Sequence, residues 1–92
     1  MPFVVVDQVS LSDVDVAREG LHAGLIPFAK QAPGFVRGTW AADREHGRGI
    51  GMMVFDTREN AEGAVKRMQE QGTPPPGVTL ESVGIYEIQG EA

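Results

Sequence analysis

Apolar and β-branched residues are concentrated in four short runs along the chain. The runs are Phe3–Val9 (FVVVDQV), Phe35–Ala41 (FVRGTWA), Ile50–Phe55 (IGMMVF) and Val78–Ile88 (VTLESVGIYEI). Three of them are apolar at successive positions over much of their length, which is typical of strands buried on both faces. The pattern predicts four β-strands, with a polar hairpin loop at Ala42–Gly49 (ADREHGRG).

A helical period separates the first strand from the second. Apolar residues recur there at steps of three and four, which predicts a helix that begins at Ser12. Its apolar stripe comprises Val14, Ala17, Leu21, Leu25, Phe28 and Ala32. Ser12 and Asp15 have the spacing of an N-terminal capping box. Pro27 removes one backbone donor and is expected to kink the helix or divide it one turn earlier.

A second helix is predicted between the third and fourth strands. Asp56 or Thr57 can cap its N-terminus, and Gly72 is predicted to end it. Its apolar stripe consists of Ala61, Ala64, Val65 and Met68. Because this stripe is narrow and built mostly from small residues, it suits close packing against a sheet.

The order of these elements is strand, helix, strand, strand, helix, strand, which is that of the α+β ferredoxin-like fold. Right-handed connections place both helices on one face of a four-stranded antiparallel sheet. The other face has no helix to cover it, although three of the strands are apolar on both faces. We therefore expect a homodimer in which two open faces pack together into an α/β barrel. A monomer with an apolar open face is the alternative.

Length and composition argue against several classes of protein. The 92 residues suit a single domain spanning residues 1–92. The chain has no Cys and two His, which argues against disulfides and a structural zinc site. Its net charge of −5 argues against nucleic-acid binding. No apolar run approaches the roughly 20 residues of a membrane span, and no basic region of a signal peptide opens the chain. We expect a cytoplasmic protein.

Three segments carry a resemblance to a known group of proteins. "LIPFAKQAPGFVRGTW", "GRGIGMMVFDTRENAEGAV" and "PPPGVTLESVGIYEI" resemble the dimeric α/β-barrel superfamily, in particular its small antibiotic-biosynthesis-monooxygenase-like proteins. The resemblance covers nearly the whole chain and implies the fold and the homodimer described above. The superfamily contains cofactorless oxygenases, haem-degrading enzymes, muconolactone-type isomerases and proteins with no known reaction. Fold analogy alone does not choose among these functions.

Cofactor signals are missing from the sequence. The haem-degrading relatives carry a His ligand on the second helix, whereas residues 60–71 contain no His. The GRGIG segment at 47–51 lies between two strands, so it does not have the strand-to-helix context of a phosphate-binding loop. No group of His, Asp and Glu has the spacing of metal ligands. We expect no cofactor and no metal.

Trp40 is the leading candidate for a substrate-binding residue. Alternation places Val36, Gly38 and Trp40 on one strand face and Phe35, Arg37 and Thr39 on the other. The Trp40 ring can wall a pocket, and Gly38 on the same face leaves space beside it. Phe28 and Met53 are the other expected substrate-binding residues. A lone Trp on a strand more often belongs to the core or an interface, and that alternative stays open.

His22 and Tyr86 are the candidate catalytic residues. His22 flanks the apolar stripe of the first helix and can act as a base near neutral pH. Tyr86 can supply a polar tip in the cavity that Trp40 lines. Both side chains also suit a partly solvated surface. His46, in the hairpin loop, is expected to be solvated rather than to touch a ligand.

Two charged residues interrupt the predicted strands. Asp7 and Arg37 occupy strand interiors, where a charge costs free energy unless it is paired or hydrated. We expect them to pair within the sheet or across a dimer; lining the polar end of a ligand site is the alternative.

The residues leave two functions open. One is a cofactor-independent monooxygenase that acts on a small apolar or aromatic substrate. The other is a non-catalytic dimer that binds such a molecule or serves only assembly. A cavity of ligand size between the first helix and the sheet, with His22 or Tyr86 opening into it, favours the enzyme, and a filled interior favours the structural protein.

Overall fold

The computed structural model describes residues 2–71 and 74–92. Its strands are β1 (Phe3–Leu11), β2 (Phe35–Asp43), β3 (Arg48–Phe55) and β4 (Val78–Glu87). They form one antiparallel sheet in the order β2-β3-β1-β4. This order and connectivity confirm the predicted ferredoxin-like fold.

The helices cover one face of this sheet. α1 (Val14–Gly20) continues through a π-helical turn (Leu21–Leu25) into α2 (Ile26–Gln31), and these three pieces form the first predicted helix. α3 (Arg58–Gln71) is the second predicted helix, and its predicted end at Gly72 lies outside the described residues. None of the described helices is both long and apolar enough to span a bilayer.

The N-terminal cap of α3 is the predicted one, whereas the cap of α1 differs from the prediction. The Thr57 hydroxyl accepts a hydrogen bond from the backbone N–H of Asn60 at 3.1 Å, so Thr57 caps α3 as expected. α1 is capped by Asp13 and not by Ser12, because the Asp13 carboxylate accepts from the N–H groups of Asp15 and Val16. The backbone N–H of Ser12 donates a hydrogen bond to the Gly77 carbonyl.

The π turn is the form taken by the irregularity expected before Pro27. The backbone N–H of Ile26 donates to the carbonyl of Leu21, five residues earlier, instead of the usual four. Pro27 follows directly and has no N–H to donate. The helical segment is therefore continuous but locally widened one turn before the proline.

A β-bulge changes the predicted faces of β2. Phe35 pairs with Phe55 and Arg37 pairs with Val54, so the register shifts at the residue between them, Val36, which is 56% exposed. Phe35 consequently lies on the same face as Gly38 and Trp40, and its predicted place on the opposite face is wrong. Its ring packs edge-on against that of Phe55, with centroids 5.9 Å apart.

The core lies at one end of the helix-covered face. It is built from alanines of α2, its C-cap and α3 that pack on large side chains of β1 and β3: Val5, Ala29, Ala32, Met53, Phe55, Ala61 and Ala64. Ala61 and Ala64 are almost completely buried, which confirms the small-residue stripe predicted for α3. Small side chains at these positions let the helix backbone approach the sheet closely.

The open face of the sheet is partly covered by the C-terminal residues. The backbone N–H of Ile88 donates to the carbonyl of Pro2, and Glu91 forms an ion pair with Arg37. Val4 and Val54 lie beside this segment and are buried. On the same face, three apolar or aromatic side chains are exposed: Ile50, Met52 and Tyr86.

Candidate functional site

A cavity of about 870 Å³ lies at the other end of the helix-covered face. Its walls come from the ends of β1 to β4, from α1, the π turn and α2, and from the last two turns of α3. The volume falls in the usual range for small-molecule sites. The interior of the protein is therefore not filled, which favours the enzyme over the structural protein.

The residues of β3 explain why this end is hollow. On the helix-covered face β3 presents Phe55 and Met53 at one end, and Gly51 and Gly49 at the other. The two glycines provide no side chain to fill the space between sheet and helices. The cavity therefore begins at Gly51, where β3 changes from large side chains to glycine.

Trp40 forms part of the cavity wall, as predicted from the sequence. Its ring extends over two glycines, because a Cβ atom at Gly38 would lie 2.6 Å from Cη2 of Trp40 and one at Gly51 would lie 2.9 Å from Cδ1. Gly38 thus gives room to the ring itself and does not line the cavity, so the expectation of open ligand space beside it is wrong.

The indole nitrogen of Trp40 has an unusual environment. Nε1 is buried and has no hydrogen-bond partner among the described residues. A buried donor left without an acceptor costs about 1–3 kcal/mol.

Asp7 is the polar group of the cavity floor. It lies on β1 directly opposite Gly51 and is only 7% exposed. A Cβ atom at Gly51 would lie 2.6 Å from Oδ2 of Asp7, so only glycine leaves space for the carboxyl group here. Burial raises the pKa of Asp7 above its ordinary value, and a backbone hydrogen bond from Gly51 partly opposes this shift.

The first helical segment supplies the apolar roof. Leu21, Leu25 and Phe28 of its stripe border the cavity and are half-buried. His22, in the π turn, lies at the edge of the cavity and is exposed. π-helical turns inside α-helices occur frequently at functional sites. The structure therefore brings the predicted residues Trp40, Phe28 and His22 to one site.

Two predicted site residues lie elsewhere. Met53 is 1% exposed and packs in the core beneath α3, so it does not border the cavity. Tyr86 pairs with Val4 on the open face of the sheet, where its ring covers Gly84 and is 56% exposed. The expectation that Tyr86 shares a cavity with Trp40 is wrong, because the sheet lies between them.

The remaining candidates have structural roles. Nδ1 of His46 lies 2.8 Å from Oδ2 of Asp43, and the backbone N–H of His46 donates to the same carboxylate. This pair closes the hairpin turn at the surface, as expected for a solvated loop. Arg37 faces the open side and pairs with Glu91. Of the two charges in strand interiors, only Asp7 reaches the cavity.

Comparison with known proteins supports the fold. No family model matches the sequence, and no curated protein does. Among solved structures, SnoaB, a cofactor-independent oxygenase from Streptomyces nogalater, is similar with a TM-score of 0.75 and 17% identity, over 98% of this chain and 95% of that chain. A monooxygenase from the gene ActVA-Orf6 of Streptomyces coelicolor, solved in complex with nanaomycin D, has a TM-score of 0.68 and 15% identity, over 98% and 89%. Rv0793 from Mycobacterium tuberculosis has a TM-score of 0.62 and 17% identity, over 100% and 99%.

These similarities extend over the whole chain. They confirm the fold that the resemblance to antibiotic-biosynthesis-monooxygenase-like proteins implies. At identities of 15–17% they do not carry an activity over to this chain.

Proposed function

We propose that this protein binds a planar apolar or aromatic molecule in the cavity beside Trp40 and oxidises it with molecular oxygen, as a cofactor-independent monooxygenase. The observation that carries the proposal is the open cavity of about 870 Å³, which has aromatic walls and a buried carboxyl group at its floor. The same fold occurs in a cofactor-independent oxygenase and in a monooxygenase that binds nanaomycin D.

Aromatic side chains provide the binding surface. Trp40 lies on the sheet side of the cavity and Phe28 on the helix side. Contact with an aromatic ring contributes about 0.5–1.5 kcal/mol beyond the burial of area alone, which favours planar ligands. Leu21 and Leu25 add apolar surface without imposing a hydrogen-bond pattern.

The proposed reaction requires little from the protein. Removal of a proton makes the aromatic substrate electron-rich, so that it transfers an electron to oxygen, and the resulting pair of radicals combines in a carbon–oxygen bond. The proton removed at the start returns to the peroxide anion, and the hydroperoxide then loses water and leaves a carbonyl group, so that one oxygen atom enters the product and the other enters water. His22 lies where an imidazole can exchange the proton between the cavity and solvent.

Binding and oxidation are tested separately. Trp40 is the only Trp, so its emission reports on the cavity, and we expect 1-naphthol to quench it. We expect Trp40→Ala to weaken binding of 1-naphthol in calorimetry by about tenfold or more, while Val36→Ala, exposed on the same strand, leaves it unchanged.

Oxygen uptake decides between the two functions that the sequence left open. An enzyme consumes one molecule of oxygen for each 1,4-naphthoquinone formed from 1-naphthol. Binding without oxygen consumption for a range of naphthols and other polycyclic phenols would support the non-catalytic protein instead. Emission that no aromatic ligand perturbs would contradict both forms of the proposal.

We also propose that two copies associate through their open sheet faces into an α/β barrel. The support is the apolar surface at Ile50, Met52 and Tyr86, of which Ile50 and Met52 are 40% and 42% exposed. Exposed apolar groups on a sheet face that no helix covers favour association. An interface of this kind buries roughly 2,000 Å² or more in total.

Sedimentation at micromolar concentration tests the association. We expect a dimer for the natural chain and a monomer for Met52→Glu, because the new charge would be buried between the sheets. Lys66→Glu, on the exposed side of α3, is the control and should remain dimeric. A natural chain that sediments as a monomer would contradict the proposal.

A further inference from the structure

The carboxyl group of Asp7 stands out among the charged groups of the protein. Among the described residues it is the one buried charged side chain. Within the same residues no Lys, Arg or His forms an ion pair with it. Burying a carboxylate without a cation costs free energy, so the fold alone does not account for this group.

The position of Asp7 points to a ligand. The carboxyl group lies at the floor of an otherwise largely apolar cavity, where Val9 of its own strand and Val83 of β4 flank it. Oδ2 of Asp7 and Cδ1 of Trp40, the carbon bonded to Nε1, both approach the space above Gly51. The Asp7 carboxyl group and the edge of the Trp40 ring therefore lie side by side at one point of the cavity wall.

We propose that Asp7 is the catalytic base of this cavity and that it selects planar aromatic ligands that present a hydroxyl group to the floor. The inference rests on the proposed function. It assigns the proton-accepting role to a residue inside the cavity, whereas His22 stands at its edge.

The reaction begins with Asp7 as the proton acceptor. The Asp7 carboxylate takes the hydroxyl proton of a naphthol, and the naphtholate that remains gives one electron to oxygen. A bond then forms between oxygen and the ring carbon para to the hydroxyl. The peroxide anion so formed takes the proton back from Asp7 and becomes a hydroperoxide. The Asp7 carboxylate then removes the ring C–H proton while the O–O bond breaks, and the departing hydroxide ion takes that proton and leaves as water. The naphthol is oxidised by four electrons to the quinone, and oxygen is the oxidant.

Other charged groups of the cavity are placed differently. Arg18 and His22 border it from the first helical segment and are exposed, and α3 contributes the uncharged residues Val65, Met68, Gln69 and Gln71. Desolvation strengthens Asp7 as a base because it disfavours the ionised form. A group in this environment accepts a proton more readily than a solvated carboxylate.

A matched pair of ligands isolates the hydroxyl group. 1-Naphthol and 1-methoxynaphthalene share one ring system, but only the naphthol can donate a hydrogen bond to Asp7. In calorimetry at pH 7.5 we expect the natural chain to prefer the naphthol by about tenfold or more, the range of hydrogen bonds to charged groups. We expect Asp7→Asn to reduce this preference to about threefold or less while it binds the ether as the natural chain does.

Oxygen uptake provides the second readout. We expect Asp7→Asn to lower turnover of 1-naphthol by about a hundredfold or more, the usual contribution of a general base. Asp56→Asn, an exposed carboxyl-to-amide change at the start of α3, is the control and should leave both readouts unchanged.

The outcomes separate this inference from the proposed function. A natural chain and an Asp7→Asn variant that prefer the naphthol equally and turn it over equally would overturn the role of Asp7 while the oxygenase remains. A natural chain that binds neither ligand would overturn the proposed function and this inference with it. Circular dichroism of Asp7→Asn establishes that the variant is folded in each case.

Discussion

The two ends of the helix-covered sheet face are built from the same strands in opposite ways. At one end Val5, Met53 and Phe55 fill the space under α3, and all three are nearly inaccessible. At the other end Gly49 and Gly51 leave the space under the first helical segment open. The filled end stabilises the fold, and the hollow end provides a binding site.

The difference between the ends lies in side-chain size and charge. α3 contacts the sheet through the alanines Ala61 and Ala64, so its backbone lies close to the strands. The first helical segment faces the hollow end with longer side chains such as Leu25 and Phe28, and the carboxyl group of Asp7 is buried beneath them. A small protein can thus keep an unfavourable buried charge at one end because close packing at the other end supports the structure.

The largest effect is expected from a charge placed at the filled end. Ala64→Asp buries a carboxylate between α3 and the sheet, where Ala64 is 2% exposed, and should cost about 3–5 kcal/mol of unfolding free energy. Urea denaturation measures this loss. Lys66→Asp, two residues away on the exposed side of α3, should retain most of the stability. Equal stabilities of the two variants would show that the two sides of α3 do not differ as described.

Truncation at the two ends compares them directly. Met53→Ala leaves a void in close packing and should cost about 2–5 kcal/mol. Leu25→Ala removes a side chain that already borders open space, so about 1 kcal/mol is expected. The difference in urea midpoints between these variants measures the contrast. A greater loss for Leu25→Ala would mean that the cavity end is as closely packed as the core.

The smallest effect concerns the buried charge at the hollow end. Burial raises the pKa of Asp7 in the folded chain above its unfolded value, so the folded state binds the proton more tightly. Stability is therefore lost as the pH rises from the unfolded pKa through the folded pKa. Asp7→Asn does not titrate, so its thermal midpoint relative to the natural chain should increase over this window and then level off.

Asp43 is the control for this experiment, because its pKa is shifted in the opposite direction. The hydrogen bond from His46 lowers the pKa of Asp43 in the folded chain. Asp43 therefore contributes stability above its unfolded pKa, and Asp43→Asn should lose stability relative to the natural chain as the pH rises. Thermal scans over a series of pH values that begins at about pH 3 compare the two trends. Parallel trends in the two variants would contradict the different environments of Asp7 and Asp43.

The candidate site was only partly predictable from the sequence. Residue type and local period identify Trp40, Phe28 and His22, and these residues meet at the cavity. For Asp7 the sequence shows only a charge inside a strand, which predicts pairing, with a ligand site as the alternative. Its role depends on the pairing with Gly51, which lies more than forty positions away in the chain and leaves the space that the carboxyl group occupies.

The sequence by itself determined the order of the elements and the α3 stripe, because side-chain period and helix caps act between residues close together in the chain. It also determined that Tyr86 and Ile85 point to opposite sides of β4. Only the tertiary structure decided which side the helices cover, and it put Tyr86 on the open one. The bulge at Val36 and the alignment of Asp7 with Gly51 were likewise decided there. Alternation relates neighbours within one strand, whereas register and coverage arise from pairing between distant segments.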